Sequence, residues 1–246
     1  MDPGAKGRER TGAVDIGGEA KPAALRCAPV PKSFLLTDDL HRYVIAHSTP
    51  LDAVSRQLID ETAELGGIAV MQVAPEQSIF LTLVTRLAGA RSAVEVGTFT
   101  GLSALAIATG MAPDGRLVCC DVSEEWTAVA RRYWEAAGVA DRIELRLGPA
   151  IDTLRALPAA PTVDLVFIDA DKTGYVDYWT ELVPRVRPGG VLLVDNTLQF
   201  GAVVDASNTK EQVEAIRRFN DHAAADDRVE LVLLPVSDGL TMAVKR

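Results

Sequence analysis

From residue 91 onwards, short apolar runs alternate with longer stretches in which apolar side chains recur at helical spacing. The short runs predict β-strands at residues 92–96, 116–121, 142–146, 163–169 and 190–195, with helices between them. Because the connections are short, they imply right-handed crossovers, which join parallel strands of one sheet. The pattern therefore predicts an α/β fold built on a parallel sheet.

The two ends of the chain depart from this alternation. Near the carboxyl end, a helix at about residues 209–224 precedes two strands, Val229–Leu234 and Leu240–Lys245, whose short connection excludes a crossover. These two strands must therefore pair antiparallel. Before residue 91, helical spacing predicts three helices, near residues 37–47, 51–65 and 75–87. We expect a seven-stranded, mostly parallel sheet with a C-terminal antiparallel hairpin, helices on both faces and extra N-terminal helices.

Length and composition favour one domain. The chain has 246 residues, 48% of them hydrophobic, which is ample for one large α/β domain and thin for two. Residues 1–31 contain several Gly and Pro without periodicity, so we expect a disordered tail before a single domain at residues 32–246. The tail lacks the apolar core of a secretory signal, and no apolar run approaches the roughly eighteen residues that span a bilayer. The chain is expected to be soluble and cytoplasmic, without a membrane partner.

Charge and cysteine content argue against further classes of partner and site. The formal net charge of -9 argues against nucleic acid or an anionic membrane, because both are bound mainly by neutralising phosphates. Cys119 and Cys120 are adjacent in a predicted strand, so they point to opposite faces and cannot easily pair. Together with Cys27 they are expected to be reduced thiols. The scattered histidines do not complete a zinc site.

Four of the predicted parallel strands carry an acidic residue at or near the carboxyl end: Glu95, Asp121, Asp169 and Asp195. The carboxyl ends of parallel strands share one edge, where open α/β sheets bind ligands. Acidic groups gathered at one edge repel each other unless they serve donors, cations or a metal. The pattern therefore predicts a ligand site at this edge.

A glycine-containing connection, EVGTFTG at residues 95–101, follows the first strand. Its glycines permit a tight turn and a close approach of ligand to backbone. The third glycine of a dinucleotide fingerprint is missing, which argues against a nicotinamide-dependent dehydrogenase. Glu95 would oppose a pyrophosphate, so a cationic ligand such as S-adenosylmethionine fits better. Asp121 can accept both ribose hydroxyls of an adenosine. Alternatively, Gly101 only starts a helix and Asp121 only caps one.

Three oxygen-bearing side chains, Asp169, Asp195 and Asn196, follow the fourth and fifth strands. Neighbouring strands lie about 5 Å apart, so these side chains can converge on one ion. Two carboxylates and an amide suit Mg²⁺, Mn²⁺ or Ca²⁺ and disfavour zinc. Alternatively, Asp195-Asn196 starts a turn and Asp169 caps a helix. Lys172 could be a surface lysine, although a cation at a helix start opposes the helix dipole.

These segments resemble a known family. EVGTFTG at 95–101, FIDADK at 167–172 with Tyr175 and Tyr178 after it, GGVLLVDNTL at 189–198 and LPVSDG at 234–239 resemble the caffeoyl-CoA O-methyltransferase-like family. Its members are cation-dependent class I S-adenosylmethionine methyltransferases that act on vicinal hydroxyls. The resemblance runs from about Lys32 to the C-terminus, and implies a Rossmann-like sheet and a homodimer.

The resemblance also implies roles for individual residues. Lys172 would be the general base, beside the catalytic Asp169, and Asp169, Asp195 and Asn196 would bind the divalent cation. The residues implied to line the methyl-donor site are Val73, Glu95, Gly97, Thr98, Ser103, Asp121, Ala150, Asp171 and Tyr178. Val73 could offer only a backbone contact. Lys32 falls near a position that touches substrate in plant members.

The chain departs from plant members where the substrate is expected. It carries Gln199 and Phe200 where plant enzymes resemble one another in having tryptophan and asparagine, and residues 203–210 are short beside the plant insertion loop. Both features favour a small catechol, bordered by Gln199 and Phe200, over a CoA thioester. We expect cation-dependent methylation of one hydroxyl of a small vicinal dihydroxy aromatic. The alternatives are a caffeoyl-CoA-like thioester, a hydroxylated natural-product intermediate or a non-catalytic S-adenosylmethionine-binding protein.

Overall fold

A seven-stranded sheet forms the centre of the fold. In this computed structural model, which describes Met1 and residues 36–246, the strands are β1 (Ser92–Val96), β2 (Arg116–Asp121), β3 (Ile143–Leu147), β4 (Val163–Ile168), β5 (Val186–Val194), β6 (Val229–Leu234) and β7 (Leu240–Lys245). Their order is β3-β2-β1-β4-β5-β7-β6. The first five strands are parallel, and β7 pairs antiparallel with β5 and β6. The predicted mostly parallel sheet with its C-terminal hairpin is confirmed. Apart from Met1, the predicted tail and Lys32 lie outside the described residues.

Helices cover both faces of the sheet, as the alternation predicted. They are α1 (Asp38–Ala46), α2 (Ala53–Ala63), α3 (Pro75–Leu87), α4 (Leu102–Gly110), α5 (Glu124–Ala136), α6 (Ala150–Ala156), α7 (Tyr175–Leu182) and α8 (Glu211–Ala224). One core cluster contains Leu81 of α3, Leu105 of α4 and Trp134 of α5. The other contains Trp179 of α7 and Phe219 of α8. The sheet is therefore the middle of three layers.

Adjacent strand residues divide between these two clusters, because side chains alternate across a sheet. In β2, Cys119 belongs to the first cluster and Cys120 to the second. Both are free, buried thiols. Burial raises the pKa of Cys120 to about 12 and that of Cys119 well above its usual value. These two cysteines are therefore unpaired and lie on opposite faces of the sheet, as predicted.

The strand register brings four carboxyl ends to one level. Val96 of β1 pairs with both Cys120 of β2 and Ile168 of β4, and Ile168 pairs with Val194 of β5. The loops that follow these strands therefore leave the sheet side by side. This alignment is the structural basis of the site described below.

The fifth strand begins earlier than its sequence predicted. The glycines at 189 and 190 indicated a strand start at residue 190, yet β5 begins at Val186. The β4–β5 register shifts within this stretch, since Val163 pairs with Val186 but Leu165 pairs with Val191. A bulge absorbs the extra residues, and Pro and Gly are tolerated at such irregularities.

The N-terminal helices pack beside the first core cluster. Leu58 of α2 is fully buried there, and the ring of His41 in α1 hydrogen-bonds Glu76 of α3 at 2.9 Å. No residue of α1 is buried, however, so its apolar side chains, including Tyr43 and Val44, remain exposed. The predicted helix exists, but its apolar face is not covered within the described part of the chain.

One stretch, Gly66–Leu87, is long and apolar enough to cross a membrane by length and composition alone. In the structure it divides into a 3₁₀ segment, Gly66–Met71, and the helix α3, which starts at Pro75. Leu81 and Val84 of α3 pack into the core. A helix of a protein core meets the same criterion, so the absence of a membrane partner stays a prediction.

Candidate active site

The carboxyl edge of the sheet gathers the predicted site residues into two neighbouring groups. The group that follows β1 and β2, here called the donor end, comprises Glu95, Gly97, Thr98, Ser103 and Asp121. The group that follows β4 and β5, here called the acceptor end, comprises Asp169, Lys172, Asp195 and Asn196. The backbone N–H of Asp169 donates to the Val96 carbonyl at 2.8 Å, and that of Asp195 to the Ile168 carbonyl at 2.9 Å. Continuation of the sheet ladder thus sets the start of both acceptor-end loops.

Gly97 brings the two ends into backbone contact. Its φ of +88° lies in the left-handed region, and a Cβ there would lie 1.9 Å from the Asp169 carbonyl oxygen. Only glycine permits this approach. Gly101, also at φ +88°, precedes α4, and the indole N–H of Trp134 donates to its carbonyl at 3.1 Å. Gly101 therefore does start a helix, while Gly97 sets the distance between the two ends.

Glu95 is a fully buried carboxyl group at the donor end. Burial raises its pKa to about 7, although hydrogen bonds from the Ser103 and Thr98 hydroxyls act in the opposite direction. The Thr98 hydroxyl donates to Oε2 at 2.9 Å, whereas Oε1 is buried without a hydrogen-bond partner among the described residues. Burying a hydrogen-bond acceptor without a hydrogen-bond partner lowers the stability of the folded protein. A ligand that supplies an ammonium or hydroxyl group would satisfy this oxygen.

Asp121 organises the glycine turn. Its carboxylate accepts the backbone N–H groups of Thr98 at 2.9 Å, Phe99 at 2.8 Å and Ser123 at 2.8 Å. Ser123, and not Asp121, is the N-cap of α5. A carboxylate has about four acceptor positions. Asp121 therefore retains capacity for a ligand hydroxyl while it holds the turn in shape.

Val73 and Ala150 approach the donor end through their neighbours. Gln72, next to Val73, donates to the Thr100 hydroxyl of the glycine turn at 3.0 Å. Val73 itself is buried in the first core cluster. Ala150 begins α6, and the N–H of Gly148 just before it donates to the Asp121 carbonyl at 2.9 Å. The structure brings these two predicted residues near the turn without a direct side-chain bond to it.

Lys172 lies between the predicted metal ligands. Its ammonium donates to Asp169 Oδ1 at 3.0 Å, to the Tyr175 hydroxyl at 2.7 Å and to Asn196 Oδ1. The side chains of Lys172 and Asp169 are 14% and 16% exposed, so the ion pair is largely shielded from water. The Lys172 ammonium thus joins two of the three oxygen-bearing side chains, Asp169 and Asn196, whereas the Asp195 carboxylate bonds Gln77 and the Asn196 N–H. Lys172 is not the surface lysine of the alternative interpretation.

Asp195 is the most buried carboxyl group of the acceptor end, at 2% exposure. Gln77 of α3 donates to its Oδ2 at 2.7 Å, and the Asn196 N–H donates to Oδ1 at 2.7 Å. Burial raises the pKa of Asp195, and the negative charge of Asp169 raises it further. Both hydrogen bonds to this carboxyl group come from uncharged donors, the Gln77 amide and the Asn196 backbone N–H.

A further carboxyl group, Asp238 in the turn between β6 and β7, adjoins the acceptor end. Its Oδ1 accepts the amide Nδ2 of Asn196 at 2.6 Å. Burial raises its pKa, while Asn196 and the charge of Lys172 lower it. Of the acceptor-end carboxyl groups, that of Asp169 bonds the Lys172 ammonium directly, and that of Asp238 feels the Lys172 charge.

Asp171 and Tyr178, both predicted at the methyl-donor site, are hydrogen-bonded to each other. The Tyr178 hydroxyl donates to Asp171 Oδ1 at 2.6 Å, and the Gly174 N–H donates to Oδ2 at 3.0 Å. Asp171 thereby caps the 3₁₀ turn Lys172–Gly174. Burial raises the pKa of Tyr178 above its usual value, so the phenol stays protonated and can donate its hydrogen bond to Asp171. This arrangement positions the turn that carries Lys172.

The predicted substrate residues, Gln199 and Phe200, are backbone-strained. Both have positive φ, at 47° and 52°, and Phe200 is 83% exposed. The Gln199 amide donates to the Asn196 carbonyl at 3.2 Å. Such conformations are uncommon for residues other than glycine and cluster at functional sites. An exposed aromatic ring four residues after Asn196 suits contact with an aromatic ligand.

The oxygen atoms at the acceptor end are suitable ligands for a hard divalent cation. Within the described residues no three His, Cys, Asp or Glu side chains are grouped to hold a metal. The predicted set instead joins two carboxyl groups, Asp169 and Asp195, to the amide oxygen of Asn196. All three ligand atoms are oxygens, as Mg²⁺ and Ca²⁺ prefer. The surplus of carboxyl groups over ammonium groups also calls for positive charge.

Sequence reasoning missed three contacts of this site. Gln77 lies 118 positions before Asp195, and its helical segment gave no sign of a polar role. Tyr175 appeared in the family resemblance with no role assigned, and its hydroxyl accepts a hydrogen bond from Lys172. Asp238 lay within the LPVSDG segment but was assigned no function. No local pattern distinguishes Gln77 from the other polar residues of its helix.

The sheet order, the glycine turn after β1 and the acidic residues after β1 and β2 together define a class I methyltransferase. Comparisons with known proteins agree. The model of the O-methyltransferase family matches residues 45–246. A probable caffeoyl-CoA O-methyltransferase 2 of Dictyostelium discoideum is 41% identical, covering 82% of this chain and 90% of that protein. The catechol O-methyltransferase domain-containing protein 1 of Mus musculus is 40% identical, covering 69% of this chain and 66% of that protein.

A solved structure extends the agreement to the fold and the methyl donor. The O-methyltransferase of Bacillus cereus, in complex with S-adenosylhomocysteine, has a TM-score of 0.77 and 33% identity, covering 85% of this chain and 97% of that one. The chain belongs to the caffeoyl-CoA O-methyltransferase-like family of S-adenosylmethionine-dependent O-methyltransferases. The alternatives of a dehydrogenase and of a non-catalytic binding protein are thereby set aside.

Proposed function

We propose that this enzyme methylates one hydroxyl of a small catechol and that it requires a divalent cation, Mg²⁺ first among the candidates, with Mn²⁺ and Ca²⁺ as the others. The observation that carries the proposal is the acceptor end itself. The Lys172 ammonium bonds Asp169 and Asn196 there, Asp238 accepts from the amide of Asn196, and the Asp195 carboxylate accepts from the Asn196 N–H. A cation bound to these oxygens and to a vicinal diol would balance the charge and orient the substrate.

The cation would address the main chemical obstacle of the reaction. A phenol has a pKa of about 10, so roughly one molecule in a thousand is ionised at pH 7. When bound, a divalent cation supplies Lewis acidity that favours the phenolate, as metals do for bound water. Asp169, Asp195 and Asn196 are the residues that would hold it.

Lys172 is the proposed general base. The substrate oxygen attacks the methyl carbon, the carbon–sulfur bond breaks with its electron pair left on sulfur, and S-adenosylhomocysteine is released. The phenolic proton passes to the Lys172 amine, which must therefore enter the step uncharged. A cation that takes the Asp169 and Asn196 oxygens would remove two of the three acceptors of the ammonium. That loss would favour the neutral amine that the step requires.

The donor end is proposed to bind the methyl donor through the positive charge and the hydroxyl groups of that ligand. The unpartnered Oε1 of Glu95 would accept from a donor ammonium or hydroxyl group, and Asp121 from the ribose. Gly97, Thr98, Ser103 and Ala150 would line the same ligand, with Asp171 and Tyr178 at its border. Rigid backbone contacts to Asp121 support precise orientation, on which methyl transfer depends.

The acceptor is proposed to lie between Lys172 and the ring of Phe200, with Gln199 beside it; Lys32 remains a further proposed contact. A small catechol suits this exposed, strained loop. The name of the Dictyostelium relative supports a second candidate, a caffeoyl-CoA-like thioester. Both substrates present the same vicinal diol, so they differ only in what extends beyond it.

Transfer of a labelled methyl group to a panel of acceptors tests the proposal. The panel contains catechol, small substituted catechols, caffeoyl-CoA and, as matched controls, phenol and the corresponding monomethoxy phenols. We expect turnover with the small vicinal diols and none with the monohydric controls. Preference for caffeoyl-CoA would favour the second candidate, and equal turnover of phenol and catechol would reject the vicinal-diol requirement.

A homodimer is also proposed, since apolar residues of α1 and of the segment Gly66–Met71, such as Tyr43 and Val70, are 62% and 73% exposed. Light scattering on the purified chain tests this, and a monomer at micromolar concentration would reject it. The cytoplasmic location and the lack of a nucleic-acid partner stay predictions from the sequence.

A further inference from the structure

We propose that Asp238 is a positioning residue that fixes which end of the Asn196 amide faces the acceptor end. The inference rests on the proposed cation role of Asn196 and deepens it. It assigns a task to the turn between β6 and β7, an element outside the two loops that carry the proposed ligands.

An amide side chain is nearly symmetric in shape but not in chemistry. Its oxygen accepts, whereas its NH₂ group only donates and would face a cation with the wrong polarity. Asn196 therefore contributes to a cation site in one of two flipped orientations. Something must select that orientation.

Asp238 supplies the selection. Its Oδ1 accepts Nδ2 of Asn196 at 2.6 Å, and an ionised carboxylate has no proton to donate. With Nδ2 committed to Asp238, Oδ1 must face the opposite side, where the Lys172 ammonium donates to it. A donor-only group on one side and an acceptor-only group on the other thus require the same orientation.

The turn that carries Asp238 is itself fixed to the loop after β5. The Leu198 N–H donates to the Asp238 carbonyl and the Thr197 N–H to the Gly239 carbonyl, both at 2.9 Å. Gly239 has a φ of +103°, and a Cβ there would lie 2.4 Å from the Leu198 nitrogen. Asp238 is only 5% exposed, so water competes poorly for Asn196. The hairpin thus holds the carboxylate rigidly against the amide.

Mn²⁺ binding to the full chain, followed by the electron paramagnetic resonance signal of the free ion, tests the inference without a turnover assay. Asp238→Ala removes the acceptor, and we expect Mn²⁺ affinity to fall by about 10- to 100-fold, the usual effect of losing a partner that orients a ligand. Asp238→Asn removes the charge but keeps an oxygen that can accept Nδ2. Because the Lys172 ammonium still requires Oδ1 of Asn196 on the opposite side, the amide should keep its orientation and Mn²⁺ affinity should stay within about threefold of the parent.

Two controls separate positioning from charge and from folding. Asp177→Ala deletes an exposed carboxylate of α7 and should leave Mn²⁺ affinity unchanged. In an Asn196→Ala background, Asp238→Ala should have no further effect on Mn²⁺ affinity, because there is no amide left to orient. S-adenosylhomocysteine affinity should be the same in all of these variants.

Each contrary result has a distinct meaning. Parent-like Mn²⁺ affinity in Asp238→Ala overturns the inference alone. Equal losses in Asp238→Ala and Asp238→Asn, or a further loss in the Asn196→Ala background, overturn it in favour of a pure charge effect. Parallel loss of S-adenosylhomocysteine binding would mean that Asp238 merely holds the fold. If the unsubstituted protein binds no Mn²⁺ and still transfers the methyl group in the presence of chelator, the proposed cation role is rejected, and this inference is rejected with it.

Discussion

The donor end and the acceptor end lie on one sheet edge, but their acidic groups are satisfied in different ways. At the donor end, Asp121 accepts three backbone N–H groups, and Glu95 lacks a partner for one oxygen only. At the acceptor end, Asp169 bonds the Lys172 ammonium, Asp195 accepts only from uncharged groups, and burial raises the pKa of both Asp195 and Asp238. The donor end is nearly complete without a ligand, whereas the acceptor end lacks positive charge. The two ends therefore call for different ligands.

Backbone strain follows the same division. Among the described residues, those other than glycine with positive φ are Phe99, Asn196, Gln199, Phe200 and Ser237. Only Phe99 belongs to the glycine turn, while the others lie in the loop after β5 or beside Asp238. Strained conformations persist where the surrounding structure over-determines them. The acceptor side is thus where the fold departs most from relaxed geometry.

Of the substitutions considered, Asp169→Ala should cause the largest loss of activity at the acceptor end. It removes a proposed ligand and the ion-pair partner of Lys172, so methyl transfer should fall by roughly a thousandfold or more, several kcal/mol of transition-state stabilisation. Binding of S-adenosylhomocysteine, measured by calorimetry, should change little because the donor end is intact. Asp177→Ala is the matched control. An equal loss of rate and of donor binding would mean that the two ends are not separable.

Lys172 substitutions distinguish a base from a structural counter-ion. Lys172→Ala should lower kcat by about 10²- to 10⁴-fold, the range for a general base. Lys172→Arg keeps a cation near Asp169 and Asn196 but cannot lose its proton, so it should restore thermal stability and not kcat. Recovery of kcat by arginine, or a loss confined to KM, would reject the base assignment.

Glu95 gives the donor end a pH dependence. Burial raises its pKa from 4.5 to about 7, so its contribution to stability is full below about pH 4.5 and is lost as pH rises through about 7. A methyl donor whose binding requires the ionised carboxylate should bind more tightly as pH rises, by about fivefold between pH 6 and 7, because the ionised fraction of Glu95 rises from about one in eleven to about one half. Calorimetry in buffers of different ionisation enthalpy should detect the released proton. Glu95→Gln should remove both effects, and persistence of the pH dependence in that variant would assign it elsewhere.

Substitution of Phe200 should have the smallest effect on stability and activity. Glycine tolerates positive φ and alanine does not, so Phe200→Gly should be more stable than Phe200→Ala by about 1 kcal/mol, a Tm difference of a few degrees. Both variants lose the exposed ring equally, so they should raise KM for the catechol alike and leave KM for the donor unchanged. Unchanged catechol KM in both would remove Phe200 from the acceptor pocket.

The sequence predicted the sheet, its hairpin and the position of both ends, because strand periodicity and short connections leave few topologies. It could not predict what fills the acceptor end. That Lys172 lies between Asp169 and Asn196 depends on the cap that Asp171 gives its 3₁₀ turn. The contacts of Gln77 and Asp238 join segments far apart in the chain, which no local pattern encodes. The early start of β5 was missed because Pro188 and its glycines resemble a loop.

The most direct test of the account is single-turnover methyl transfer to catechol by metal-stripped, S-adenosylmethionine-loaded protein during titration with Mg²⁺. The account predicts negligible transfer in chelator and a saturable recovery with Mg²⁺, while donor binding stays constant throughout. Full transfer in chelator, with no response to Mg²⁺, would mean that the Lys172 ammonium alone balances the acceptor end, and would contradict the central claim.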